Sequence, residues 1–155
     1  MINLNSSEID VLRTLLEREV RFLVVGGRAV NFHGHLRPAP DLDLFYSDTD
    51  DNKARLLEAL KPFGGNNLTF DSLAAIIQVN IYGNPIQLHS EIDAISFDDA
   101  SSQIVFAKCA NLKLPFISCN HLLQNKRASG HKPDRKKDLD DVAALESLCK
   151  TPSPY

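Results

Sequence analysis

The chain has 155 residues, of which 43% are hydrophobic and 24% are charged, a balance typical of a folded globular protein rather than a disordered or fibrous one. Its formal net charge of -3 argues against the broad basic surface with which dedicated duplex-binding proteins contact phosphates. The amino terminus lacks a signal-peptide pattern, and no apolar stretch is long enough to span a bilayer. We therefore expect a cytoplasmic protein with no membrane partner.

The three cysteines, Cys109, Cys119 and Cys149, are widely spaced and odd in number, and the chain has no Cys-x-x-Cys pair. This pattern indicates neither a zinc site nor a disulfide framework. We therefore expect ordinary reduced thiols.

The first predicted element is an amphipathic helix that runs to Glu19, with Ser7 and Asp10 as its capping box. The run 21–25 follows as a strand, because it is rich in β-branched and aromatic residues. This strand ends at Gly26-Gly27, where the backbone is free to turn sharply or to approach a ligand closely.

A short helix is predicted over residues 28–33, and two prolines within 35–40 prevent its continuation. Residues 41–46 then alternate charged and apolar side chains, which is the pattern of a strand. On such a strand the side chains of Asp41 and Asp43 point to the same face of the sheet.

The middle of the chain predicts one helix and more of the sheet. Acidic residues within 48–51 favour the start of a helix that ends near Pro62. Residues 74–82 and 85–92 read as two strands joined at Gly83-Asn84, and 104–116 adds further extended structure.

The C-terminal part predicts two helices on either side of a basic break at 126–137, followed by a tail over 151–155. Together, the elements predict an α/β (α+β) fold with a mixed β-sheet flanked by helices and with C-terminal helices. A single domain over residues 1–150 accommodates all of them.

The strongest chemical signal is the pair Asp41 and Asp43, because two carboxylates on one strand face offer the hard oxygen ligands that Mg²⁺ prefers. An isolated Asp-x-Asp is more often an exposed strand, so its surroundings decide the interpretation. Here Gly26-Gly27 precedes the pair at the start of a helix, where backbone amides favour phosphate oxygens. A phosphate site beside a metal site predicts that the protein binds a nucleoside triphosphate (NTP).

The glycine pair Gly26-Gly27, then Arg37, then the run Asp41-Leu42-Asp43-Leu44 stand in a characteristic order. This order resembles the core of the polymerase-β-like nucleotidyltransferase superfamily, closest to its small bacterial branch related to abortive-infection and toxin–antitoxin enzymes. The resemblance implies a nucleotidyltransferase fold in which Gly26 and Gly27 approach the triphosphate and Arg37 lies near it. It also implies that Asp41 and Asp43 bind Mg²⁺ or Mn²⁺, and that the protein has a toxin–antitoxin partner.

The C-terminal segments 122–128 and 137–141 also resemble the closing helices of this branch. By this resemblance Lys126 and Lys137 are candidate phosphate ligands. For the basic residues of this region as a group, a solvated face remains the favoured interpretation.

The resemblance departs from the family at Gln87, which stands where active members carry a third carboxylate. A neutral glutamine offers one carbonyl oxygen to a cation and does not act as a base. On a strand, His89 and Glu91 share its face, so a small change of register brings one of them toward the metal instead. We therefore take Gln87 and Glu91 as catalytic candidates beside the two aspartates, and expect a hydrogen-bonded or exposed histidine at His89.

Three functions follow. The first is transfer of a nucleoside monophosphate (NMP) from an NTP to an acceptor hydroxyl on a tRNA or RNA end, a protein or a small molecule. The second is a catalytically impaired module that binds nucleotide or a toxin–antitoxin partner. The third is a phosphohydrolase of the haloacid dehalogenase kind, which Asp41-Leu42-Asp43 resembles, although that chemistry places its aspartates at the end of an apolar strand.

Overall fold

A computed structural model describes residues 2–65, 68–69, 76–132 and 136–150. Within these ranges, six strands form one sheet in the order β3-β4-β2-β1-β6-β5. The strands are β1 (Phe22–Val25), β2 (Leu42–Tyr46), β3 (Ile77–Ile81), β4 (Asn84–His89), β5 (Val105–Cys109) and β6 (Leu112–Phe116). The helices are α1 (Ser6–Glu17), α2 (Gly26–Phe32), α3 (Asp50–Leu60), α4 (Phe97–Ser101), α5 (Cys119–Ser129) and α6 (Lys136–Leu148), with a 3₁₀ turn at Lys61–Phe63.

The sheet is mixed, as the sequence predicts. β1 pairs antiparallel with β2 and parallel with β6, β2 pairs parallel with β4, and two antiparallel hairpins, β3–β4 and β5–β6, form the outer strands. All four residues of β1 are buried, which is the pattern of a central strand covered on both faces. Helix α2 packs on this centre, where the ring of Phe32 stacks on Phe116 with 4.2 Å between the centroids.

The predicted cap of the first helix is wrong. Asn5 is the N-cap residue, because its side chain accepts a hydrogen bond from the Glu8 amide at 2.8 Å, and the Glu8 carboxylate accepts one from the Asn5 amide at 3.0 Å. This is the reciprocal capping box that was expected at Ser7 and Asp10. The helix also ends at Glu17 rather than Glu19.

Two helix boundaries also differ from the prediction, one at the glycine pair Gly26-Gly27 and one at the basic break 126–137. Helix α2 begins at Gly26, so the glycine pair forms its first turn rather than a separate turn before it. Helix α5 continues to Ser129 and α6 begins at Lys136, so helix occupies both ends of the predicted break at 126–137. Of the other predictions, the beginning of the strand 74–82 and the tail 151–155 lie outside the described residues.

The expectation of three reduced thiols is wrong as well. Cys119 and Cys149 form a disulfide, and Cys109 is a free thiol. Cys119 is the first residue of α5 and Cys149 directly follows α6, so the packing of these two helices brings together cysteines 30 positions apart. Spacing along the chain does not reveal such a pair.

No helix within the described ranges combines the length and the apolar character that crossing a bilayer requires.

Candidate active site

The Asp-x-Asp run, at the beginning of strand β2 and directly before it, lines a cleft of about 770 Å³. Leu42 and Leu44 are buried on one face of the strand, whereas Asp43 between them is only partly buried and lines the cleft. Asp41 directly precedes the strand and lines the same cleft. Both carboxylates of the Asp-x-Asp run therefore line the same cleft.

All the predicted site residues line this one cleft. They come from the start of α2, the segment before β2, strand β2, strand β4 with the residues after it, and helices α5 and α6. The set is Gly26, Gly27, Arg37, Asp41, Asp43, Gln87, Glu91, Lys126 and Lys137.

Gly26 lies directly against Asp43. Its φ angle is +66°, in the left-handed region that favours glycine. A Cβ atom added at Gly26 would lie 2.5 Å from Oδ2 of Asp43 and 3.0 Å from its Cβ. The backbone conformation therefore favours glycine at this position, and the contact with Asp43 leaves no space for a Cβ atom.

Gly27 lies directly against the segment that precedes β2. A Cβ atom added at Gly27 would lie 2.9 Å from Cβ of Ala39 and 3.1 Å from Nη1 of Arg37. The glycine pair therefore lets Arg37 and Asp43 approach the first turn of α2 from two sides.

His89 contacts the second aspartate. Its Nε2 lies 2.9 Å from Oδ1 of Asp43, and the side chains of His89 and Asp43 are 15% and 17% exposed. This agrees with the expected hydrogen-bonded histidine.

Gln87 and Glu91 occupy different positions relative to Asp43. In the parallel pairing of β2 and β4, Gln87 is the register partner of Asp43. Glu91 lies beyond the end of β4 and is exposed at the cleft. The register therefore places the neutral side chain, and not the acidic one, beside Asp43.

A buried charge network joins the helices to the segment before β2. Asp141 of α6 is 0% exposed and accepts two hydrogen bonds from Arg37, from Nε at 2.7 Å and from Nη2 at 2.8 Å. Nζ of Lys126, on α5, lies 2.7 Å from Oδ1 of Asp138 and 3.3 Å from Oδ2 of Asp141. Lys126 is 7% exposed, so the interpretation of this lysine as part of a solvated face is wrong.

The network also shifts the ionisation of its members. Burial acts to raise the pKa of Asp141, but hydrogen bonds from Arg37 and the charge of Lys126 outweigh it, so the pKa lies below its ordinary value. The hydrogen bonds to Asp141 raise the pKa of Arg37, even though burial opposes this. Both groups therefore keep their charges in the folded protein.

Arg28, which the sequence analysis did not single out, fixes the segment before Asp41. Its Nε donates to the Ala39 carbonyl at 2.6 Å and its Nη2 to the Pro40 carbonyl at 3.2 Å, while Nη1 and Nη2 also bind the Glu8 carboxylate. Glu8 is 20 residues from Arg28, and no local pattern links them. The one available signal is an acidic residue, Glu8, on the buried face of an amphipathic helix.

The side chains of the cleft fit a metal ion that is coordinated by the protein and by the phosphates of a substrate together, rather than by the protein alone. Within the described ranges, no three His, Cys, Asp or Glu side chains group together as metal ligands. Asp41 and Asp43 supply carboxylate oxygens, and Gln87 beside Asp43 is neutral. Mg²⁺ commonly binds through one or two carboxylates and completes its shell with substrate phosphates and water, so two aspartates suffice for that role.

Comparisons with known proteins give structural neighbours but no sequence match. No protein-family model matches the chain, and no curated protein matches it significantly. The lincosamide antibiotic adenylyltransferase LnuA, bound to lincomycin, superposes with a TM-score of 0.60 at 15% identity, covering 96% of this chain and 99% of LnuA.

Two further structures agree with the first. A Thermotoga maritima protein assigned as a nucleotidyltransferase gives a TM-score of 0.57 at 16% identity, covering 96% of this chain and 94% of its own. ANT(2'')-Ia, in complex with adenylyl-2''-tobramycin, gives 0.56 at 13% identity, covering 90% of this chain and 91% of its own. At these identities the likeness shows the fold.

Proposed function

Because the chain has the nucleotidyltransferase fold, we propose that it transfers an NMP group from an NTP to an acceptor hydroxyl. The acceptor oxygen forms a bond to the α-phosphorus, the bond to the β-phosphate oxygen breaks, and pyrophosphate leaves. The observation that carries the proposal is the packing of Asp43 against Gly26 in the cleft that Asp41 also lines. This packing joins the predicted phosphate site to the predicted metal site.

The chain's own residues bind and orient the nucleotide. Arg37 and Lys126 line the cleft, and their ion pairs with Asp141 and Asp138 hold the two side chains in place. Gly26 and Gly27 form the first turn of α2, the proposed phosphate site, and without Cβ atoms there Asp43 and Arg37 pack directly against that turn. Preorganised charges of this kind stabilise phosphoryl-transfer transition states because they need no reorganisation during the reaction.

Asp41 and Asp43 are the residues that would hold Mg²⁺ or Mn²⁺. When bound, the cation neutralises phosphate charge and stabilises both the attacking and the leaving oxygen. The acceptor proton goes to solvent or to a neighbouring base, and Gln87 does not serve as that base because its side chain does not titrate.

The test is transfer of label from α-labelled NTPs to a panel of acceptors: tRNA and RNA ends, proteins, and small hydroxylated compounds. We expect a labelled product with the wild-type protein and none with Asp43→Asn. Asp98→Asn is the matched control, since Asp98 is exposed on α4 and does not line the cleft. Undiminished transfer by Asp43→Asn would refute the mechanism.

Small molecules come first in the acceptor panel. LnuA is named for lincosamide antibiotics and is bound to lincomycin, and the ANT(2'')-Ia complex contains an adenylylated tobramycin. Both structures cover nearly the whole of this chain, so we propose a small hydroxylated acceptor ahead of RNA and protein. The abortive-infection branch, the toxin–antitoxin partner and cytoplasmic residence remain predictions from the sequence.

The second candidate function is a catalytically impaired module that binds nucleotide, and the position of Gln87 beside Asp43 favours it. A nucleotide that binds with Mg²⁺ while no acceptor is ever labelled would support this candidate. Label transfer that appears only in Gln87→Asp would then identify a site that has lost its third carboxylate. The phosphohydrolase has no such support, because Asp43 lies near the beginning of β2 and Asp41 before it.

A further inference from the structure

We propose that His89 is a positioning residue that orients the Asp43 carboxylate for the cation and the nucleotide. The inference rests on the proposed function, and it assigns to His89 part of the task that a third carboxylate performs in active relatives. His89 acts through Asp43 and does not itself contact the reacting atoms.

The contact has the geometry of a hydrogen bond between an imidazole nitrogen and a carboxylate oxygen. Nε2 of His89 lies 2.9 Å from Oδ1 of Asp43, and both side chains are largely shielded from solvent. An ionised carboxylate only accepts hydrogen bonds, so the imidazole donates through Nε2–H. Such charge-assisted hydrogen bonds are about twice as strong as neutral ones.

On the side away from His89, Asp43 packs against Gly26. Oδ2, Cγ and Cβ of Asp43 all lie within 3.0 Å of the place that a Cβ atom of residue 26 would take. The carboxylate therefore lies between the glycine and the imidazole. The two contacts together fix the direction in which its oxygens face the cleft.

The sheet register explains why a histidine at position 89 reaches this aspartate. Residues Gln87 and His89 alternate with the buried Ile86 and Leu88, so both face the cleft. Gln87 is the register partner of Asp43, and His89 is one alternate position further along β4. The imidazole side chain of His89 spans that step and bonds to Oδ1 of Asp43.

The chemistry of the site makes this orientation consequential. With a neutral Gln87 beside Asp43, the proposed carboxylate ligands of the cation are Asp41 and Asp43. Direct ligation of the cation by His89 is disfavoured, because Mg²⁺ prefers oxygen ligands and Nε2 already bonds to Asp43. Loss of the group that orients a metal ligand typically costs about 10- to 100-fold in metal affinity or activity.

The test compares His89→Gln with His89→Leu by calorimetric titration of the folded protein with Mn²⁺·ATP. A glutamine amide nitrogen takes nearly the place of Nε2 and can donate to Asp43, whereas leucine has no donor. We expect His89→Leu to weaken binding by about 10- to 100-fold and His89→Gln to stay near the wild-type affinity. Equal losses in both variants, or no loss in His89→Leu, would overturn the proposal.

Asp43→Asn separates this proposal from the proposed function. If Asp43→Asn leaves the affinity for Mn²⁺·ATP unchanged, the metal site itself is refuted. If Asp43→Asn weakens binding but His89→Leu does not, the role of His89 alone is refuted.

A spectroscopic measurement makes the proposal independent of the folding of either variant. In the wild-type protein, ring ¹⁵N resonances of His89 should show a proton on Nε2, and Asp43→Asn should shift that signal. A neutral ring that carries its proton on Nδ1 would overturn the proposal.

Discussion

Replacement of Gly26 by alanine tests the contact that joins the phosphate and metal sites. Gly26 has φ +66°, and moving an L-residue into this region costs about 1 to 2 kcal/mol. The new Cβ would also lie 2.5 Å from Oδ2 of Asp43 and 2.9 Å from its Cγ. Rotation of the carboxylate alone does not relieve this, because Cβ of Asp43 lies 3.0 Å away. The aspartate must therefore move.

Gly83 provides the matched control for this experiment. It has φ +84° in the turn between β3 and β4, and no atom lies within 4 Å of an added Cβ. Gly83→Ala therefore carries the same backbone cost of about 1 to 2 kcal/mol without the displacement of Asp43. Urea unfolding measures the loss of stability in each variant, and α-labelled NTP measures transfer. We expect both variants to lose stability and only Gly26→Ala to lose transfer; equal transfer by the two would refute the reasoning.

Three further predictions concern stability. Reduction of the Cys119–Cys149 disulfide, which closes a loop with a separation of 30 residues, should lower the free energy of unfolding by about 3 to 4 kcal/mol in urea titrations; an unchanged midpoint would contradict this. Asp141→Asn, which breaks a buried ion pair, should cost about 3 kcal/mol or more, whereas the exposed Asp140→Asn should cost under about 0.5 kcal/mol; similar losses would contradict the buried network. Burial lowers the pKa of His33 from 6.5, so its contribution to stability is complete above pH 6.5 and is lost as the pH falls through the lowered value. His33→Asn should flatten the pH dependence of the free energy of unfolding. An unchanged pH profile of the free energy of unfolding would contradict this.

The features that the sequence predicted are those written in local patterns. The alternation at 41–46 predicted a strand here, and β2 buries Leu42 and Leu44 while Asp43 lines the cleft together with Asp41, which precedes the strand. The glycine pair marked the close approach of the chain at Gly26, where the positive φ favours glycine and Asp43 fills the space that a Cβ atom would take. Apolar periodicity likewise revealed the mixed sheet and its helices.

The features that the sequence did not predict depend on partners far apart in the chain. Arg37 and Asp141 are separated by 104 positions, and their pairing follows from the packing of α6 near the segment before β2. The same helix packing brings Cys119 and Cys149 together and buries Lys126. The basic sequence around Lys126 is typical of a solvated surface, so burial there is visible only when the helices are in place.

The most direct test of the central claim is calorimetric titration of the wild-type protein and of Asp41→Asn with each common NTP, with and without Mg²⁺. NTP binding can be measured without knowing the acceptor. Absence of binding therefore reports on the cleft and not on the choice of acceptor. We predict that the wild-type protein binds an NTP far more tightly with Mg²⁺ than without it, and that Asp41→Asn loses this difference. Failure of the wild-type protein to bind any NTP, or Mg²⁺-dependent binding that Asp41→Asn retains in full, would contradict the account.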